Sequence, residues 1–148
     1  MFVHKIVLGM AAATLLGSCS MMMGAGTTYT FRHNPTTADP AATGKAVATM
    51  KDGMVSTTLT LSGLTPSKAY IAHYHAFGPA SSTDPCASNG PVSLGFPGFT
   101  SDASGNATVS VSGDMAKIAG DLGAYINVHY ASDPSVVPIC APVKMTKG

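Results

Sequence analysis

The stretch AVATMKDGMVSTTLTL, residues 46–61, decides the fold class of this chain. Val55, Thr57, Leu59 and Leu61 recur every second residue, the spacing that sends alternate side chains to one face of a strand. Lys51-Asp52-Gly53 separates them from a shorter apolar run at 46–50. An Asp-Gly pair between two such runs predicts a tight β-hairpin, because both turn residues must accept positive φ.

Composition carries the argument to the rest of the chain. Among 148 residues there is no Glu, Gln or Trp, while Ser and Thr number 31. The straight, rotamer-rich side chains that favour helices are scarce, and strand and turn formers are abundant. With 16 Gly and 10 Pro the chain turns often, and 45% apolar against 10% charged residues is too hydrophobic for a wholly disordered chain. The formal charge of +1, with no basic run, leaves nothing to neutralise a phosphate backbone, so nucleic acid is excluded as a partner.

Further strands are expected at 28–33, 69–77, 107–111 and 124–130, with a turn or single helical turn over 113–123. An extended piece at 136–145 contains Pro138 and Pro142, which suits an edge or irregular strand. Residues 78–106 show no regular period and read as one long connection. Tyr74, Phe77, Phe96 and Phe99 read as core aromatics. Short strands with long crossovers predict a single all-β domain over 29–148, a Greek-key β-sandwich.

Residues 1–18 hold one cation, Lys5, and a short apolar core, and read as an export signal. LGSC at 16–19 resembles a bacterial lipobox, which predicts cleavage before a lipidated Cys19, with 19–28 as tether. The alternative is an ordinary secretory signal with a coincidental Cys. Acylation at Cys19 would hold the protein on the cell envelope, at the outer membrane or the periplasmic face. That leaves room for assembly with other envelope proteins. Assigning Cys19 to lipid leaves Cys86 and Cys140 with one pairing, a disulfide in an oxidising compartment, or else two buried free thiols.

His73 and His75 stand two apart on the strand at 69–77 and therefore share a face. His129 lies on the strand at 124–130, sharing a face with Tyr125 and Asn127. Three neutral imidazoles converging from two strands suit copper or zinc, with copper favoured at equal geometry. The competing reading is an amphipathic strand with hydrogen-bonded surface histidines. His33, beside Asn34-Pro35, reads as a loop residue.

The segment at 62–91, SGLTPSKAYIAHYHAFGPASSTDPCASNGP, resembles copper–zinc superoxide dismutases, in which a Gly-Leu-Thr turn leads into an H-x-H-x-F-G strand and a disulfide Cys. Ser112-Gly113-Asp114 and AYINVHY at 124–130 are similar to later elements of that family in the same order. The small chordin-type CHRD domains share a pattern of paired His and Asn-Val-His strands and remain a competing assignment. The dismutase resemblance implies a Greek-key barrel, copper on His73, His75 and His129, and a Cys86–Cys140 disulfide. It departs from the family at Val92, where a bridging His is expected, and at Val137, where a guiding Arg is expected. No His occurs over 92–102, so zinc is not expected.

Three functions follow. The first is a copper-only dismutase with weakened activity, taking superoxide to oxygen and hydrogen peroxide at one copper per chain, with the three histidines as catalytic ligands. The second is a non-catalytic copper-binding envelope lipoprotein. The third is a structural envelope domain of CHRD or dismutase type.

Overall fold

Asp52 and Gly53 take φ of 52° and 76°, so the expected hairpin closes through a two-residue turn of left-handed residues in the computed structural model, which describes residues 26–78 and 83–145. In chain order the strands are β1 (Thr27–Thr30), β2 (Arg32–His33), β3 (Thr43–Lys51), β4 (Met54–Ser62), β5 (Ala69–Phe77), β6 (Val92–Gly95), β7 (Phe99–Thr100), β8 (Ala107–Asp114), β9 (Gly123–Tyr130) and β10 (Ile139–Val143). A 3₁₀ turn, Pro85–Ala87, and a short helix, α1 (Met115–Ile118), complete the elements.

The strands form two antiparallel sheets, β1-β3-β4-β8 and β2-β10-β9-β5-β6, with β7 also pairing with β5. The architecture is all-β, as expected, and the two sheets enclose one core. Val55, Leu59 and Leu61 from β4 and Ala46 and Ala48 from β3 supply one side; Ala72 and Tyr74 from β5 and Ile126 and Val128 from β9 supply the other. Thr57 is buried among them because its hydroxyl meets the Tyr74 hydroxyl at 2.7 Å across the sheets. Tyr74 also stacks on Phe96, and Tyr70 on Phe99, which places these aromatics in the interior.

The segment expected as one first strand is two. Phe31 turns its side chain into the core between β1 and β2, so the chain starts in one sheet and continues in the other. The long connection likewise contains β6 and β7. Each is only a few residues long and Pro97 and Gly98 interrupt them, too little for a period of two to show. Pro142 lies in β10 beyond the two residues that pair with β2, where the missing N–H interrupts no ladder on that side.

Asp39 knots one end of this frame. Its carboxylate accepts hydrogen bonds from the Thr65 N–H and hydroxyl, from the Tyr70 hydroxyl at 2.6 Å and from the Tyr130 hydroxyl at 3.1 Å. Burial pushes its pKa up, but these donors outweigh burial and hold the carboxyl below its ordinary value.

Candidate metal centre

β5 alternates strictly, so the residues that fill the core and those that build the site come from one strand. Ala72 and Tyr74 point inward, and His73 and His75 point to the outer face. β9 does the same, with Ile126 and Val128 inward and Tyr125, Asn127 and His129 outward. The register pairs His75 with Tyr125, His73 with Asn127 and Ile71 with His129. His129 is therefore diagonal to His73, and Asn127 stands between the histidines.

The outer face of β9 is not a solvent face. Asn127 is 9% exposed and His129 7%, because residues 86–90 and 134–137 lie over it. The Cys86–Cys140 disulfide ties the first of these segments to β10, in the position directly beside Asn127. The Tyr125 hydroxyl donates to Ser88 O at 3.0 Å and accepts from the Gly90 N–H at 2.8 Å. Gly90 admits no side chain, since a Cβ there would overlap the Ala76 carbonyl oxygen.

These covering segments set the tautomers of two imidazoles. His75 Nδ1–H donates to Gly90 O at 2.8 Å, and its ring stacks on Tyr125 with centroids 4.8 Å apart. His129 Nδ1–H donates to Pro134 O at 2.6 Å. A neutral imidazole that donates through Nδ1 carries its lone pair on Nε2. Both Nε2 atoms are buried and have no hydrogen-bond partner. His73 completes the group, with its ring centroid 5.2 Å from that of His129 and 6.1 Å from that of His75.

The ligand atoms of His73, His75 and His129 lie within 4.8 Å of one another. One ion with bonds of about 2 Å would place its donors about 3–4 Å apart, so a small inward movement closes the set. Burial, with a smaller contribution from His75, pushes the His73 pKa down. Burial also lowers that of His129, against the opposing pull of the Pro134 carbonyl. Both effects favour the neutral form that donates to a metal. The three histidines thus form a group that can hold a metal ion. An unpartnered Nε2 with the other ring nitrogen donating to a backbone carbonyl is the arrangement usual for a histidine that ligates a metal.

The three expected ligands are brought together, and Cys86 and Cys140 are bonded. Cys19, the signal segment and residues 19–25 of the tether lie outside the described residues. His33 is on β2, away from the group, with Nε2 at 3.0 Å from Ala38 O. The sequence reading missed the carbonyls of Gly90 and Pro134. Backbone acceptors leave no mark in residue type; only the Gly-Pro and Asp-Pro pairs beside them hinted at fixed loops. A cleft of about 300 Å³ opens on the site, lined by His75, His129, Asn127, Ser88, Ser135 and Val137 among others.

Residues 25–136 match the family model of the CHRD domain. A search of curated proteins finds no match to this chain. The match corrects the assignment to the copper–zinc superoxide dismutases: of the two families that the histidine strands resemble, CHRD is the one supported. A few short ordered motifs on antiparallel strands are common to both patterns, and the departures at Val92 and Val137 mark where the dismutase pattern fails. Val92 is 57% exposed on β6 and offers no ligand atom, and Val137 puts an apolar side chain in the cleft wall.

Proposed function

Because the chain belongs to the CHRD domain family, we propose that it is a non-catalytic metal-binding domain that holds one copper ion through His73, His75 and His129. The observation that carries this reading is the pair of buried, unpartnered Nε2 atoms on His75 and His129, each fixed by a carbonyl behind it. Such atoms are costly to bury unless something takes their lone pairs. An all-imidazole set without thiolate or carboxylate leaves the choice of ion to intrinsic affinity, which favours copper over zinc. Dismutation rested on the dismutase resemblance and is set aside with it. Among the described residues the cleft also carries no Lys or Arg that would draw in an anion.

The setting is the cell envelope. LGSC at 16–19 supports a lipid anchor at Cys19, and the Cys86–Cys140 disulfide suits an oxidising compartment.

Titration of the full chain with copper, with zinc as competitor, tests the reading. One copper per chain should bind, zinc should not displace it, and His73→Ala with His75→Ala should abolish binding. The loaded protein should dismute superoxide no faster than a free-copper control. Turnover above that control would overturn the non-catalytic reading, and preferred zinc would overturn the choice of copper. Absence of metal binding would leave a structural domain.

A further inference from the structure

Among the described residues, five buried side-chain nitrogen or oxygen atoms have no hydrogen-bond partner: His75 Nε2, Ser88 Oγ, Ser93 Oγ, Asn127 Oδ1 and His129 Nε2. Four of these, all but Ser93, belong to residues that line the single cleft over the metal centre. A metal on the histidines accounts for two. Asn127 Oδ1 and Ser88 Oγ remain, and a copper ion alone does not satisfy them.

Asn127 is the central residue of this surface. It pairs with His73 across the ladder, it is flanked on its own strand by Tyr125 and His129, and on its other side it pairs with Cys140. Its Oδ1 is an acceptor with no proton to give, so whatever satisfies it must be a donor. An amide oxygen is a hard, weak ligand for copper beside three imidazoles, which favours a hydrogen bond to a ligand over direct coordination. Among the described residues no Asp, Lys or Arg lines the cleft, so apart from the copper itself no charge there selects for a charged ligand.

We propose that Asn127 is a ligand-recognising residue of the centre, its Oδ1 accepting a hydrogen bond from a neutral O–H donor, water in the simplest case, held on the open side of the copper. The proposal rests on the copper reading above. It makes the centre selective at its open position. A ligand with a proton to give is retained, and an anion without one meets the lone pairs of Oδ1 and is disfavoured. Ser88, on the disulfide-tied segment, provides a hydroxyl beside the same space.

The test uses the full chain loaded with Cu(II), and Asn127→Leu, which removes the acceptor at similar size. Pulsed electron paramagnetic resonance in H₂O and D₂O reads exchangeable protons near the copper, and an optical titration with azide reads the affinity for an anion with no proton to donate. The wild-type chain should show a strong exchangeable-proton signal, and Asn127→Leu should weaken it and bind azide about two- to tenfold more tightly, the range of one hydrogen bond. Asn127→Thr keeps an oxygen acceptor without a carboxylate that could itself ligate copper and should keep more of the proton signal than Asn127→Leu, which preserves the test where the leucine variant fails to fold. Equal proton signals and equal azide affinities in wild type and Asn127→Leu would overturn the proposal, as would equal loss of the signal in Asn127→Thr and Asn127→Leu. A wild-type chain that binds no copper would remove the parent reading, an outcome distinct from copper bound with no effect of residue 127.

Discussion

On the outer face of the β1-β3-β4-β8 sheet, Ser56 meets Ser112 at 2.8 Å and Thr58 meets Ser110 at 2.8 Å, hydroxyl to hydroxyl across β4 and β8. Most of these side chains are exposed, and each also has water within reach. On the outer face of the other sheet, Tyr125, Asn127 and His129 are as buried as a core strand, and atoms of the last two have no partner. The same alternation of inward and outward residues builds both faces. What separates them is the cover: residues 86–90 and 134–137 lie over one face, whereas the other face is largely exposed among the described residues. A polar face left open satisfies itself cheaply, whereas unmet atoms on a covered face call for a partner such as a ligand or a buried water.

The largest expected effect comes from removing the tether of that cover. The Cys86–Cys140 bond closes a separation of 54 residues, for which chain entropy gives about 4 kcal/mol. Cys86→Ala with Cys140→Ala should lower unfolding stability by about that amount in a denaturant titration. It should also weaken metal binding, since the Gly90 carbonyl behind His75 loses its anchor. Stability lost with metal affinity unchanged would separate the cover from the site.

Gly90→Ala should act more locally. The added Cβ displaces the loop from Ala76, and with it the acceptor of His75 Nδ1–H. Losing the acceptor behind a ligating histidine typically costs about 10- to 100-fold in metal affinity, read by a chelator competition. An affinity within a factor of two of wild type would show that the carbonyl does not orient the ring.

Acidification should distinguish the faces without a change of sequence. Burial depresses the His73 and His129 pKa values, so in the metal-free chain protons bind the unfolded state more readily than the folded one. Stability should therefore begin to fall as pH drops below the ordinary imidazole value of about 6.5, and level off once the folded groups also protonate. The loss should vanish in a His73→Ala, His129→Ala chain. Copper should raise stability, leave that onset in place and extend the fall to lower pH, because metal and proton compete for the same lone pairs. The hydroxyl face has nothing that titrates in this range.

The smallest effect belongs to that hydroxyl face. Thr58→Val with Ser110→Ala removes one cross-strand pair from a surface that water already serves, and should change stability by no more than about 1 kcal/mol. A larger loss would mean that the open face contributes more to the sandwich than its exposure suggests.

Much of this was legible in residue order because it depends on period and turn chemistry. Asp52-Gly53 specifies its own turn, the alternation through Val55, Thr57, Leu59 and Leu61 specifies a buried face, and His73 with His75 must share a side of β5. Residues 28–33 look like one continuous strand in the sequence because Phe31, apolar among strand formers, gives no sign that the chain changes sheets there. Family assignment failed for a related reason. Short motifs in a common order describe strands and their faces, and the two families share those.

By itself, then, the sequence determined an all-β chain, the hairpin, and which residues share a strand face, His73 with His75 and His129 with Tyr125 and Asn127, all of them consequences of local geometry. Only the tertiary structure decided that β5 and β9 are neighbours in a register that gathers His73, His75 and His129 around Asn127. It alone decided that a disulfide-tied loop covers that face, that the Gly90 and Pro134 carbonyls fix two tautomers, and that Asn127 Oδ1 is left unmet. The physical reason is that strand register and loop placement are set by contacts between residues far apart in the chain, while backbone carbonyls are the same in every residue and acquire a role only from where the fold puts them.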